Sequence, residues 1–182
     1  AAIAIKLGDG GPVFFKQNRA TRDGKVFQVY KFRTMKQNVE NRSATADDDR
    51  ITKAGHILRK TRMDELPQFL NIFLGDMSFV GPRPEMLENV YSYTEELPEF
   101  QYRLRVKAGL TGYAQIAGKY NTTPKDKLIM DMMYIERYSF WNDIKLCFQT
   151  LIVLLKSDST EGFQTRNDVF QVEETPESKK IK

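Results

Sequence analysis

Apolar and polar positions along this 182-residue chain change period from one segment to the next, and the changes mark out its elements. Val13-Phe14-Phe15-Lys16-Gln17 and Lys25-Val26-Phe27-Gln28-Val29-Tyr30-Lys31-Phe32-Arg33 are rich in strand formers, with the turn signal Asp23-Gly24 between them, and predict a β-hairpin. Alternation with period two in the second run puts Phe27, Val29, Lys31 and Arg33 on one face. Residues 37–49 are polar, end in an acidic triplet and lack apolar periodicity, which predicts a mobile loop. From about Asp49 or Arg50 to Arg62 the spacing predicts a helix with Ile51, Ala54, Ile57 and Leu58 on its buried side. A second helix is expected in the apolar run Phe69-Leu70-Asn71-Ile72-Phe73-Leu74, with Pro67 in its first turn.

Gly and Pro between Gly75 and Pro84 mark a stiff loop that holds Arg83 between two prolines. Thr122-Thr123-Pro124 opens a helix that turns Leu128, Met132 and Ile135 to the core. Asp131 lies near that face, either as a functional acid or paired with Lys127 or Arg137. Trp141 to Leu155 is an apolar helix shorter than a bilayer requires, and it either closes the core or lies against a membrane interface. Residues 164–182, with four acids and four bases, read as a disordered tail. The expected class is α/β (α+β): one compact domain with an N-terminal hairpin, several helices around one core, and a basic face set against a membrane.

An apolar content of 41% at this length supports one domain with a real core. The lone Cys147 makes no internal disulfide or cysteine cluster, and the single His56, read as structural, excludes the usual poly-histidine zinc sites. Reducing, cytosolic surroundings fit. The net charge of +4 matters less than its clustering. Between Ile51 and Met63 stand Lys53, Arg59, Lys60 and Arg62 with no acid, and Arg103, Arg105 and Lys107 form a second such group. These are either solvated faces or sites for phosphates, lipid head groups or nucleic acid. No window reaches the roughly 18 to 20 apolar residues of a spanning helix. The apolar start, Ala1 to Leu7, reads as the tail of something longer rather than a signal peptide.

Candidate chemistry concentrates in Arg59-Lys60-Thr61-Arg62-Met63-Asp64-Glu65-Leu66-Pro67-Gln68. Adjacent carboxylates beside several cations can stay ionised, hold a divalent cation and meet a polyphosphate, whereas a bare Asp-Glu-Leu-Pro would be an ordinary helix cap. Pro67 places Asp64 and Glu65 at or just before a helix N-terminus, where free backbone N–H groups would face an anion. Lys31 and Arg33, projecting together, either grip a diphosphate or snorkel from an exposed strand. For Arg83, the rigid frame lowers the entropy lost on gripping a phosphate.

Taken with Lys31-Phe32-Arg33-Thr34-Met35, Gly75 to Pro84, Lys107-Ala108-Gly109-Leu110-Thr111-Gly112-Tyr113-Ala114-Gln115 and Asp143-Ile144-Lys145, this stretch resembles the bacterial sugar transferase family, the monotopic polyprenyl-phosphate phosphoglycosyl transferases. The resemblance runs from about Ile3 to Phe163. It implies a catalytic domain over residues 1–163, with a membrane-inserted helix just upstream, at the cytoplasmic face of a bacterial cell membrane. It further implies that Asp64 is the nucleophile and a magnesium ligand, that Glu65 is a supporting acid-base or metal-site group, and that Arg59 is a phosphate-binding arginine. Lys31 and Arg83, with Arg33 and Gln115 from the same matching motifs, are the implied substrate and phosphate ligands. The implied cofactor is Mg2+. The donor would be a UDP-sugar, the acceptor a polyprenyl phosphate such as undecaprenyl phosphate, and the membrane surface a partner, with no role for nucleic acid.

The sequence departs from the family pattern at Arg62, Met63, Ala108 and Ala117, which bears on sugar preference rather than on the carboxylate pair. Lys119 to Phe163 resembles the starters of capsule and exopolysaccharide, and so points to glucose or galactose phosphate. The residues by themselves admit two other classes. One is a soluble magnesium-dependent nucleotide-sugar phosphohydrolase, which would give the same intermediate to water. The other is a non-catalytic basic module for membranes or nucleic acid, which would tolerate loss of both carboxylates.

Overall fold

The hairpin forms where Asp23-Gly24 allows the chain to reverse. A computed structural model describes residues 1–36, 48–118 and 122–155. In it β1 (Phe14–Ala20) pairs antiparallel with β2 (Val26–Phe32), from Phe14 opposite Phe32 to Ala20 opposite Val26. Both turn residues have positive φ, 58° at Asp23 and 73° at Gly24, a conformation that Asp tolerates and Gly adopts without cost. The first strand runs three residues beyond the predicted end at Gln17. The predicted alternation holds: Phe27 and Val29 are buried against Met77 and Ala108, and Lys31 follows on the same face. The loop predicted at 37–49 lies largely outside the described residues, as does the tail at 164–182.

A short helix α1 (Ala2–Asp9) precedes the hairpin. After it comes α2 (Lys53–Lys60), which starts later than predicted because Thr52 caps it, its hydroxyl accepting from the Gly55 N–H at 3.0 Å. Ile51 therefore sits in a β-bridge opposite Met35, and Ile57, expected inside, is 67% exposed. His56 is exposed too.

The expected next helix forms as α3 (Gln68–Phe73), and it turns polar side chains inward. Gln68 and Asn71 are buried, while Phe69, Leu70, Phe73 and Leu74 face outward. The cause is Asn71, whose Oδ1 accepts from the Tyr30 N–H at 2.9 Å and whose Nδ2 donates to the Gln28 carbonyl at 2.7 Å. One amide side chain thus takes the place of a neighbouring strand along the edge of β2 and fixes which side of α3 faces in.

Beyond α3, β3 (Ser78–Val80) pairs in parallel with β4 (Gly109–Thr111), a contact too short to leave a period in the sequence. The two segments pass so closely that a Cβ on Gly81 would collide with the Lys107 carbonyl oxygen, and one on Gly109 with the Gly81 backbone. Between them run α4 (Leu87–Glu96) and a 3-10 segment, Pro98–Arg105. The chain continues through α5 (Tyr113–Ala117), α6 (Pro124–Glu136) and α7 (Phe140–Leu155). A second apolar cluster joins Val80, Tyr134 and Leu146, with Ile116 and Ile135 packed on it. The domain is therefore mixed α/β with a leading hairpin and several helices, as expected. Among the described residues, no helix is long and apolar enough to cross a membrane.

Candidate functional site

Asp64 and Glu65 occupy a 3-10 turn, Met63–Glu65, immediately before Pro67 and α3. Arg62 enters the turn with φ 53°, a left-handed conformation that a β-carbon disfavours. The expectation of free backbone donors here needs correction. The Glu65 N–H donates to the Arg62 carbonyl and the Leu66 N–H to that of Met63, so the turn uses its own amides.

Side chains supply the positive charge instead. Lys31 Nζ lies 2.8 Å from Glu65 Oε1, and Arg83 Nη2 donates to the same oxygen at 2.9 Å. Lys31 arrives from the strand that Asn71 ties to α3, and Arg83 from the proline-framed loop. Burial alone would raise the Glu65 pKa, but the charges of Arg83 and Lys31 and the hydrogen bonds from both hold it far below the usual carboxylate range. Glu65 is thus an anion at any physiological pH.

Asp64 differs. Among the described residues no group hydrogen-bonds to its carboxylate. Burial, reinforced by the charge of Glu65, pushes its pKa up, while Lys31, Arg59 and Arg83 oppose the rise. Arg59, in the last turn of α2, donates from Nε to Thr34 Oγ1 at 2.9 Å and adds its charge to the Asp64 field.

The other two candidates bond elsewhere. Arg33 is buried, donating from Nε to the Pro12 carbonyl at 2.7 Å and from Nη1 to that of Met35 at 3.3 Å. Gln115, on α5, donates from Nε2 to the Gly109 carbonyl at 3.3 Å, and its Oε1 is buried without a hydrogen-bond partner among the described residues. The structure therefore gathers Asp64, Glu65, Lys31, Arg59 and Arg83, and engages Arg33 and Gln115 with backbone.

One arginine escaped the sequence reading. Arg19 of β1 lines the same cleft as Lys31, Glu65 and Arg83, donates from Nη1 to the Pro84 carbonyl at 3.0 Å, and buries Nε without a hydrogen-bond partner among the described residues. Its pKa is lowered to about 10, by burial first and then by Arg83. Its position in a run of polar residues, Lys16-Gln17-Asn18-Arg19, gave no sign of an inward side chain.

Asp131 also differs from its expected pairing. It lies 2.9 Å from Arg103 Nη2, across from the 3-10 segment, while Lys127 pairs with Glu85 at 2.8 Å and Arg137 is exposed.

Magnesium usually keeps several waters and takes one or two protein carboxylates together with substrate phosphates. No group of three or more His, Cys, Asp or Glu side chains is placed to hold a metal among the described residues. The Asp64 carboxylate, which accepts no hydrogen bond there, fits a single protein ligand. Glu65 fits less well, because one of its oxygens already meets two cations.

A small α/β domain that presents one unencumbered carboxylate beside a second one clamped by lysine and arginine is suited to a phosphorylated substrate. The chain belongs to the bacterial sugar transferase family, whose profile matches residues 1–157. It is 41% identical over 160 residues to a UDP-N-acetylgalactosamine-undecaprenyl-phosphate N-acetylgalactosaminephosphotransferase of Aeromonas hydrophila, covering 85% of this chain and 38% of that protein. It is 42% identical over 158 residues to a UDP-glucose:undecaprenyl-phosphate glucose-1-phosphate transferase of Escherichia coli, covering 82% of this chain and 34% of that protein. With the uncharacterized sugar transferase EpsL of Bacillus subtilis it shares 41% identity over 166 residues, 91% of this chain and 79% of that protein. The chain thus spans little more than a third of the first two relatives. Those two are named for different sugars at nearly equal identity.

Proposed function

We propose that the chain transfers a sugar-1-phosphate from a UDP-sugar to a polyprenyl phosphate, undecaprenyl phosphate in the form that its relatives' names give, with Asp64 as the covalent nucleophile. The observation that carries this reading is the contrast within the pair. Glu65 is neutralised by Lys31 and Arg83, and Asp64 accepts no hydrogen bond among the described residues, so its oxygens are available to attack. In the first step an Asp64 oxygen bonds to the β-phosphorus of the donor, the bond from that phosphorus to the bridging oxygen breaks, and UMP leaves with the electron pair. In the second, an oxygen of the polyprenyl phosphate attacks the same phosphorus and Asp64 departs as a carboxylate. The product is a lipid-linked diphospho-sugar of the kind that starts a surface glycan.

Each neighbour has a separate task. Glu65, held ionised far below neutral pH, is a poor proton donor and a weak base; it serves to hold Lys31 and Arg83 where a diphosphate would lie. Arg59 and those two cations counter the charge that builds on the phosphoryl oxygens. Asp64 would hold a Mg2+ ion, which when bound would supply charge neutralisation at the leaving phosphate. The outward side chains of α3 and those of α7, among them Phe73 at 88% and Trp141 at 77% exposure, support contact with the membrane that holds the acceptor, at its cytoplasmic face.

The test is to incubate the protein with Mg2+ and UDP-glucose, UDP-galactose or an N-acetylated UDP-sugar, follow UMP release, and search the Asp64 peptide for a sugar-phosphate mass. A burst of UMP with the adduct, lost in Asp64→Asn, is the expected result. Sugar phosphate released to water at a rate unaffected by undecaprenyl phosphate would sink the transfer reading in favour of hydrolysis, and UMP release with no adduct would sink Asp64 as the nucleophile.

A further inference from the structure

Behind the Arg83 loop lies a group of buried charges with no part in the chemistry above. Two of the three residues in Pro82-Arg83-Pro84 have no N–H, so this loop has to be held largely through its carbonyls. Each carbonyl accepts from a different element. Pro82 accepts from the Gly109 N–H of β4 at 2.9 Å, Arg83 from Arg103 Nη2 at 2.7 Å, and Pro84 from Arg19 Nη1 of β1 at 3.0 Å.

The middle donor is the unusual one. The Arg103 side chain is only 3% exposed and its guanidinium lies 4.8 Å from the centre of the Phe100 ring. Its Nη2 is 2.9 Å from Asp131 Oδ2, and its Nη1 is 3.9 Å from Glu85 Oε1, which Lys127 Nζ approaches at 2.8 Å. A buried ion pair is weak evidence for stability, because well-packed apolar residues of similar volume often serve a core equally well or better. Here the guanidinium has a more specific contact: it donates to the backbone of the residue whose side chain grips Glu65.

Resting on the phosphoglycosyl-transfer reading, we infer that Arg103 is a positioning residue: it fixes the backbone from which Arg83 reaches Glu65, and Asp131 in turn fixes Arg103. The chain of contacts is short. Asp131 on α6 holds Arg103 in the 3-10 segment, Arg103 holds the Arg83 carbonyl, and Arg83 Nη2 meets Glu65 Oε1 at 2.9 Å. Lysine at position 103 would keep a cation opposite Asp131 but lose the planar guanidinium whose Nη2 lies against both Asp131 and the Arg83 carbonyl. An ångström of drift in the loop would part Arg83 from Glu65, and misplacement on that scale costs about a hundredfold in rate.

The experiment is a double-mutant cycle with Arg103→Lys, Arg83→Ala and the pair, reading UMP release, together with the guanidinium NMR signal of Arg83, assigned by its loss in Arg83→Ala. The expected result is a ~10- to 100-fold loss for Arg103→Lys in the native background, less than ~2-fold in the Arg83→Ala background, and a shifted Arg83 signal. Equal losses in both backgrounds, or an unchanged Arg83 signal, overturn the positioning role. Should Arg103→Lys not fold, Asp131→Asn takes its place in the cycle. If the native protein releases UMP from no UDP-sugar, the transfer reading has failed by itself; then, or if Arg83→Ala is too slow to measure, the Arg83 signal alone decides the positioning.

Discussion

Replacing Asn71 by leucine keeps the size of the side chain and removes both of the hydrogen bonds it makes to β2. Asn71 is fully buried, so no water reaches the Tyr30 N–H or the Gln28 carbonyl to replace the lost partner. Each buried group left unsatisfied costs about 1–3 kcal/mol, which gives a loss on the order of 2–6 kcal/mol for the pair. In urea, with a slope of about 1–3 kcal/mol per molar for a domain of this size, a mid-range loss moves the unfolding midpoint down by roughly 2 M. Amide exchange at Tyr30, measured under native conditions, should accelerate more than at the neighbouring strand positions, because the strand edge loses its cover locally as well as globally. Activity should fall further than the stability loss explains, since Lys31 follows Tyr30 and loses its register against Glu65. A midpoint lowered by less than ~0.5 M, with Tyr30 exchange unchanged, would refute the view that this one amide sets the orientation of α3.

Three further substitutions test other links. Glu65→Gln removes a charge that raises the Asp64 pKa and releases Lys31 and Arg83 toward it, so the acid limb of the pH-rate profile for UMP release should move to lower pH; a limb that stays in place or rises contradicts the assigned field. Arg62→Gly relieves a left-handed residue at φ 53° and should stabilise the fold by about 1 kcal/mol, raising the melting temperature by ~2–4 °C, whereas a lower melting temperature would show that the strain is absent. Asp131, pushed by burial from 3.8 to about 6 despite Arg103, binds its proton more tightly folded than unfolded. Its contribution to stability is therefore fully present below pH 3.8 and is lost as pH rises through about 6, a span worth on the order of 3 kcal/mol. Denaturation curves of Asp131→Asn, compared with the native chain between pH 4 and pH 7, should lack this component; identical pH dependences would rule it out.

The parts of the structure that were legible in the sequence are those that local chemistry decides. Asp23-Gly24 can take positive φ, so the hairpin and its alternation follow, and Pro67 places the carboxylate pair ahead of α3 wherever the rest of the chain goes. Lys31, Arg59 and Arg83 sit in segments whose period or proline framing aims them at that pair. What escaped depends on partners distant in sequence. The apolar run of α3 predicts a helix but not its facing, which is decided when Asn71 meets the edge of β2, 43 residues away at Gln28. Arg103 and Asp131 meet across 28 positions, and a nearer cation was the natural guess. The three-residue strands β3 and β4 are too short for a period, and their contact depends on glycines that permit a close crossing. Arg33, read as a phosphate ligand from its alternation with Lys31, shares the face but reaches backbone carbonyls before it reaches the cleft.

The outward face of α3 has a thermodynamic consequence of its own. Because Asn71 anchors the helix with Gln68 buried beside it, folding proceeds without removing Phe69, Leu70, Phe73 and Leu74 fully from water. Each such side chain retains much of the ~1.5–3 kcal/mol that complete burial would release, and that free energy stays available for a later association. Attachment and detachment of the domain at an apolar surface should then leave its heat of unfolding almost unchanged, while in lipid-free water the same face should drive concentration-dependent clustering that mild detergent reverses without denaturing the molecule.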